Sequence, residues 1–204
     1  LPAGSQFIFE ASAFGFSAIM MGWLGTSALA AHQIAINLAT ISYMTTSGLG
    51  AAATIRVGNF LGQHDTVNMR AAAFAMIWMA VAIMAACALL FIFGRYALPS
   101  LYIDNLSVID MTASLLIFAA FFQLSDGIQV VTAGALRGLQ DVKIPSLLIL
   151  VAYWVIALPL GYTLAFPLAF GANGIWLGLF IGLTLTATAM VVRFRRLSRN
   201  PRPI

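Results

Sequence analysis

Charge is what this chain has least of. Only 8% of its 204 residues are Asp, Glu, Lys or Arg, while 62% are hydrophobic, and the mean hydropathy is +0.99. A water-soluble domain carries about a quarter charged residues, so this composition excludes one and indicates an integral membrane protein. Its apolar runs have the length of membrane helices and lack the alternation of short barrel strands. The single cysteine, Cys87, excludes an internal disulfide and reads as a small core hydrophobe. Histidine is also scarce. No set of His, Cys or acids has metal-ligand spacing, and no nucleophile motif occurs, which argues against an enzyme. The stretch nearest to a phosphate-binding loop, RVGNFLG at 56–62, lacks the lysine such a loop needs and reads as a loop ending a helix. The chain opens on LPAGSQ, without Met and without a charged region ahead of a cleavage site, so the start is not a signal peptide. It is expected to be a piece of a longer protein.

What is abundant is apolar sequence at helical length. Segments of about twenty residues fall at 2–24, 28–54, 72–94, 108–136, 145–167 and 172–193, an all-α, six-span architecture over 1–193 with a basic tail at 194–204. Six spans put both ends of the chain on one side. That side receives Arg56, Arg70, Arg137, Lys143, Arg193, Arg195, Arg196, Arg199 and Arg202, and the other receives Arg95 alone. Basic residues accumulate on the cytoplasmic side, so both ends are expected there. The tail reads as a topology signal in contact with anionic lipid of the bilayer, not as a nucleic-acid binder. Gly174, Gly178 and Gly182 lie on one face of the last span, a spacing that lets helices approach closely. Pro159 is expected to kink the fifth.

Four of the six carboxylates, Asp65, Asp104, Asp110 and Asp141, fall in or near connections. Glu10 and Asp126 lie within spans. A charged residue at a helix centre costs on the order of 2.5–3.5 kcal/mol on insertion scales, and no basic residue within a span is there to pair with either acid. Each must be protonated, face water or bind a cation, and every option makes it responsive to H⁺ or Na⁺. Counted from the ends of their helices, they lie roughly 12 and 16 Å from the same interface at 1.5 Å per residue. In a core of about 30 Å that is near the midplane, where alternating access requires a site. One helical face gathers Phe122, Gln123, Asp126 and Gln129. The second span offers Gln33, Asn37, Thr40 and Ser42 as further cleft lining. His32 is placed at the outer interface, and His64 in a solvated loop.

The run AAHQIAINLATISYMTTSGLGAAATIRVGNFLGQHD (30–65) resembles a signature segment of the multidrug and toxic compound extrusion (MATE) family. So do SDGIQVVTAGALRGLQDVKIP (125–145), YWVIALPLGY (153–162) and GANGIWLGLFIGL (171–183), in matching order and spacing over essentially the whole chain. The resemblance implies the C-terminal half, or C-lobe, of a twelve-helix, pseudo-two-fold antiporter of the bacterial inner membrane. Such a protein expels small cationic, often aromatic, drugs in exchange for Na⁺ or H⁺, and its N-terminal lobe would be the partner of this chain. Glu10 and Asp126 stand where the NorM-like branch has acids of its cation site. Phe122 replaces a tyrosine frequent in that branch, and its ring face can still attract a cation.

Arg56 and Arg137 are expected to anchor the basic face, with the glycines of RVGNFLG and LRGLQD ending helices there. The likeness of those two ends hints at a three-helix internal repeat. Export of a lipid-linked or polysaccharide precursor is a second reading, weakened by the lack of Arg or Lys in the spans. A non-transporting structural subunit, with acids that only lock helices, is a third. No cofactor is called for beyond the coupling ion.

Overall fold

A computed structural model describes residues 2–199, with side chains over 4–199. Arg202 and the rest of 200–204 lie outside the described residues. The chain folds into α1 (Pro2–Leu24), α2 (Thr26–Gly62), α3 (Thr66–Phe93), a short α4 (Ala97–Ser100), α5 (Leu106–Gly138), α6 (Lys143–Leu150), a π-helical turn (Val151–Ala157), α7 (Leu158–Ala165) and α8 (Gly171–Leu197). Five passes are long and apolar enough to cross a membrane: α1, α3, α5, α8 and the continuous α6–π–α7 rod. The remaining pass, α2, is not among them. It has length to spare, about 55 Å at 1.5 Å per residue, but it carries His32, Gln33, Asn37, Thr40 and Arg56.

The second connection is much shorter than its polarity suggests. RVGNFLG is helical to Gly62, so Gly58 ends nothing, and only Gln63, His64 and Asp65 separate α2 from α3. The sequence Gly62-Gln63-His64-Asp65 turns the chain by a left-handed residue, His64 at φ 57°. Its amide donates to Leu61, and that of Asp65 donates to Phe60. Gly138-Leu139-Gln140-Asp141 repeats the pattern, with Gln140 at φ 60° and amide bonds from Gln140 to Arg137 and from Asp141 to Leu136. Both are Schellman closures that satisfy the last helical carbonyls. The local likeness is thus real in geometry, but its register runs from Gly62 to Gly138 and not from Arg56 to Arg137.

After each turn the aspartate does different work. Asp65 caps α3 by accepting from the Asn68 amide at 3.0 Å. That donor, together with the Asn68 side chain, holds its carboxyl below the usual aspartate range. Asp141 instead accepts a two-pronged ion pair from Arg193 of α8. Gln6, near the start of α1, donates to the Val142 carbonyl beside it at 3.4 Å. These contacts tie the beginning of α1 and the end of α8 to one connection, so both ends of the described chain share one end of the bundle. Arg56, Arg70, Arg137 and Lys143 lie toward that end as well. The last helix runs on to Leu197, which makes Arg195 and Arg196 part of its final turn, where cations complement the helix dipole.

The centre of the bundle is α5, packed against α2, α3 and α8. Its approach to α2 is close because neither partner carries a side chain at the crossing. A Cβ added at Gly134 would sit 2.1 Å from the Gly50 carbonyl oxygen. The Thr54 hydroxyl spans the same crossing to the Gly134 carbonyl at 2.9 Å. On the other side, the glycine face of α8 packs as its spacing predicts: a Cβ at Gly178 would meet the Gly161 nitrogen at 2.5 Å. Without a hydrophobic gradient between helices in lipid, such close packing and interhelical hydrogen bonds supply the association energy.

Candidate functional site

Helix α5 carries Asp126 into the interior, and α1 brings Glu10 to the same place. Both line one cavity of about 230 Å³, together with Phe7, Phe14, Thr40, Tyr43 and Phe122. The matching depths counted from the sequence therefore correspond to one shared site. Glu10 Oε1 accepts from Gln129 Nε2 at 3.2 Å and from the Tyr153 hydroxyl at 3.3 Å. Asp126 is buried, and no side chain among the described residues donates to it. The amide oxygen of Gln129 is also buried without a partner among them. No basic side chain lines this cavity. A pocket with two carboxylates, a phenol and aromatic walls has the chemistry that suits a positive charge, since hard cations take oxygen ligands and ring faces attract cations.

Phe122 forms the inner wall, edge-on to Phe14 and to Trp176, each at 5.9 Å between centroids. The remaining expected lining residues distribute differently. Gln123 is buried, lines neither cavity that holds Glu10, and has both polar side-chain atoms unpartnered among the described residues. It lies three residues from Asp126, but the helical rotation turns it away from the cavity. Gln33 and Asn37 are exposed on α2 and are not part of the cavity lining, which takes Ile36, Ala39, Thr40 and Tyr43 from that helix. Asn37 accepts from the Tyr102 hydroxyl at 2.8 Å instead. Ser42 is buried and donates to its own helix, at the Ala39 carbonyl. His32 is not interfacial: it is buried between α2 and α8, where Trp176 Nε1 donates to its Nδ1 at 3.1 Å. Its place near the helix end is as counted, but the facing helix covers it. Arg56 is exposed. Arg137 is half-buried and borders a second cavity that also reaches Glu10.

Besides Phe7 and Phe14 of α1, two further site residues, Tyr43 and Tyr153, escaped the sequence reading. Tyr43 lies one turn from Thr40 on the same face of α2, and extending that face by three residues would have found it. Tyr153 sits in the π-helical turn, where the wide i→i+5 geometry upsets the ordinary helical period. Pro159, which follows, supplies no N–H for the Val155 carbonyl inside that turn. The rod stays continuous, and the irregularity that Pro159 signals takes the form of the π turn. Such turns recur at functional sites, and this one delivers a hydroxyl to Glu10.

Residues 2–163 match the MatE family model. The chain is 41% identical over 200 residues to a probable multidrug resistance protein NorM of Xanthomonas campestris pv. campestris, covering 98% of this chain and 44% of that protein. It is 42% identical over 199 residues to the protein of the same description from Agrobacterium fabrum, covering 95% and 43%. The chain thus spans less than half the length of the curated relatives it matches. Among solved structures it is similar in fold to the eukaryotic MATE transporter AtDTX14, with a TM-score of 0.87 at 21% identity over 98% of this chain and 46% of that one. A multidrug resistance MATE transporter of the MOP superfamily, in an outward-facing conformation, gives 0.84 at 18% over 96% and 43%.

Proposed function

Because this chain belongs to the MatE family, we propose that it forms one six-pass lobe of a multidrug efflux antiporter. The lobe exchanges a cationic, aromatic drug for Na⁺ or H⁺ across a bacterial inner membrane. The observation that carries this reading is the shared cavity of Glu10 and Asp126, a half-buried and a buried carboxylate with aromatic walls and no basic neighbour lining it. An ionised carboxylate in a span costs about 2.5–3.5 kcal/mol, so two of them in one cavity favour whatever neutralises them. A proton or Na⁺ does so when no drug is bound. A cationic drug does so when it enters, its charge offset by the acids and its rings against Phe7, Phe14, Tyr43 and Phe122. The coupling ion and the drug then compete for one pair of charges, and competition of this kind is what exchange requires.

The basic end of the bundle faces the cytoplasm under the positive-inside rule. The exposed faces of α1 and α2, with Phe7, Ile41 and Met44, are where the second lobe of the full-length transporter closes the cavity. The test is drug resistance in cells expressing the full-length protein. Glu10→Gln and Asp126→Asn are each expected to abolish resistance to a cationic dye at unchanged membrane abundance. Wild-type resistance in both variants would contradict the reading.

A further inference from the structure

Glu10 stands between two cavities. The larger one holds Asp126 and the aromatic walls. The smaller, of about 110 Å³, is lined by Gln6, Ser47, Ala51, Gln129 and Arg137, with Glu10 at its inner end. Phe7, Glu10 and Tyr43 border both and form the partition between them. The smaller cavity lies toward the basic end of the bundle: Gln6 reaches the Val142 carbonyl there, and Arg137 is the penultimate residue of α5. Its lining also differs in kind, with amides, a hydroxyl and a guanidinium in place of Phe14 and Phe122, among Ala51, Val130, Ala133 and Ile149. That chemistry suits water and small ions. The space holds several waters and has about half the volume of the larger cavity. The unpartnered, buried oxygen of Gln129 lies beside Glu10 on this route.

We propose that the smaller cavity is a separate passage for the coupling cation between Glu10 and the basic end of the lobe, with Arg137 setting the electrostatic barrier at its mouth. The drug uses only the larger cavity. A drug and its counter-ion that compete for one carboxylate pair need not share an exit, and a polar side channel lets the ion leave while the drug still fills the aromatic chamber. A fixed guanidinium slows a free cation in the passage and leaves water unhindered, because its field extends about a Debye length of 8 Å in salt solution and further where the walls are dry. The inference rests on Glu10 being a coupling site.

Its test reads accessibility rather than transport, so its failure and that of the proposed function are distinguishable. In the full-length transporter with Cys87→Ala and no other cysteine, Ser47→Cys and the exposed Ala51→Cys report the small cavity, and Thr40→Cys reports the large one. Each is exposed to membrane-impermeant charged methanethiosulfonates in inside-out and right-side-out vesicles, with and without saturating ethidium. The expected result is reaction of Ser47→Cys and Ala51→Cys from the cytoplasmic side, persisting in ethidium, while ethidium protects Thr40→Cys. Adding Arg137→Gln is expected to raise the ratio of cationic to anionic reagent rates at Ser47→Cys several-fold. Reaction only from the outer side, block of all three positions by ethidium, or no reaction at either small-cavity position would overturn the passage. An unchanged reagent ratio would remove Arg137 from it.

Discussion

Asp126 and Glu10 face one cavity from helices held in very different ways. Asp126 rides on α5, which is enclosed by α2, α3 and α8 and joined to α2 at a crossing with no room for a side chain. Glu10 rides on α1, which packs mainly on α2 and α6, and its carboxylate is placed by two hydrogen bonds, from Gln129 and Tyr153. The contrast assigns them different parts. Asp126 is held by the packing of its helix. Glu10 is the adjustable one, whose partners include a hydroxyl on an irregular turn of the α6–α7 rod. A shift of α1 or of that rod would change the hydrogen-bond partners of Glu10 without requiring α5 to move.

The contrast breaks most completely if the platform itself fails. Gly134→Leu would drive a side chain into the Gly50 carbonyl, and backbone cannot yield as a flexible side chain does. The expected outcome is loss of folded protein, seen as aggregation in detergent size-exclusion chromatography. Monodisperse, wild-type-like protein would show that the α2–α5 crossing is not the frame.

Removing one donor from the adjustable acid is a milder change. Tyr153→Phe loses a hydrogen bond worth about 1 kcal/mol that stabilises the cation-free carboxylate, which corresponds to about a fivefold fall in the half-saturating concentration of the coupling cation, with the maximal rate kept. Cation titration of dye efflux checks this, and an unchanged midpoint would return Glu10 to a fixed role.

At the basic end, Asp141→Asn releases Arg193 and the last helix. The pair is two-pronged but partly exposed, so the loss is on the order of 1 kcal/mol. It should read as a small drop in Tm, recovered in the double variant Asp141→Arg with Arg193→Asp.

The smallest effect belongs to the twin turn. Asp65 has a carboxyl held below its usual range by the Asn68 donors, so its contribution is complete above the ordinary aspartate pKa and is lost as pH falls through the lowered value. Asp65→Ala should therefore lower Tm slightly at neutral pH and match the wild type in strong acid.

Much of this was readable in the sequence, and the misses have physical causes. Helix positions followed from apolar length, and the pairing of Glu10 with Asp126 followed from counting rise along two helices from the same interface. At RVGNFLG the polar residues mimic a helix break, whereas α2 continues past the apolar stretch to Gly62. The angular placement of Gln123 was lost because a face drawn by i, i+3 and i+4 does not say which neighbouring helix it meets. His32 was assigned by depth alone, and only the packed structure shows Trp176 covering it. Tyr153 was hidden by the π turn, which no regular period describes.

The most direct measurement is drug-driven counterflux in proteoliposomes of the full-length transporter. A cationic dye added on one side should drive ²²Na⁺ or H⁺ the other way. Both Glu10→Gln and Asp126→Asn should abolish that coupled flux, while Gln33→Ala, outside the cavity, should leave it intact. Coupled flux that survives in either acid variant at wild-type rate would contradict the two-carboxylate site.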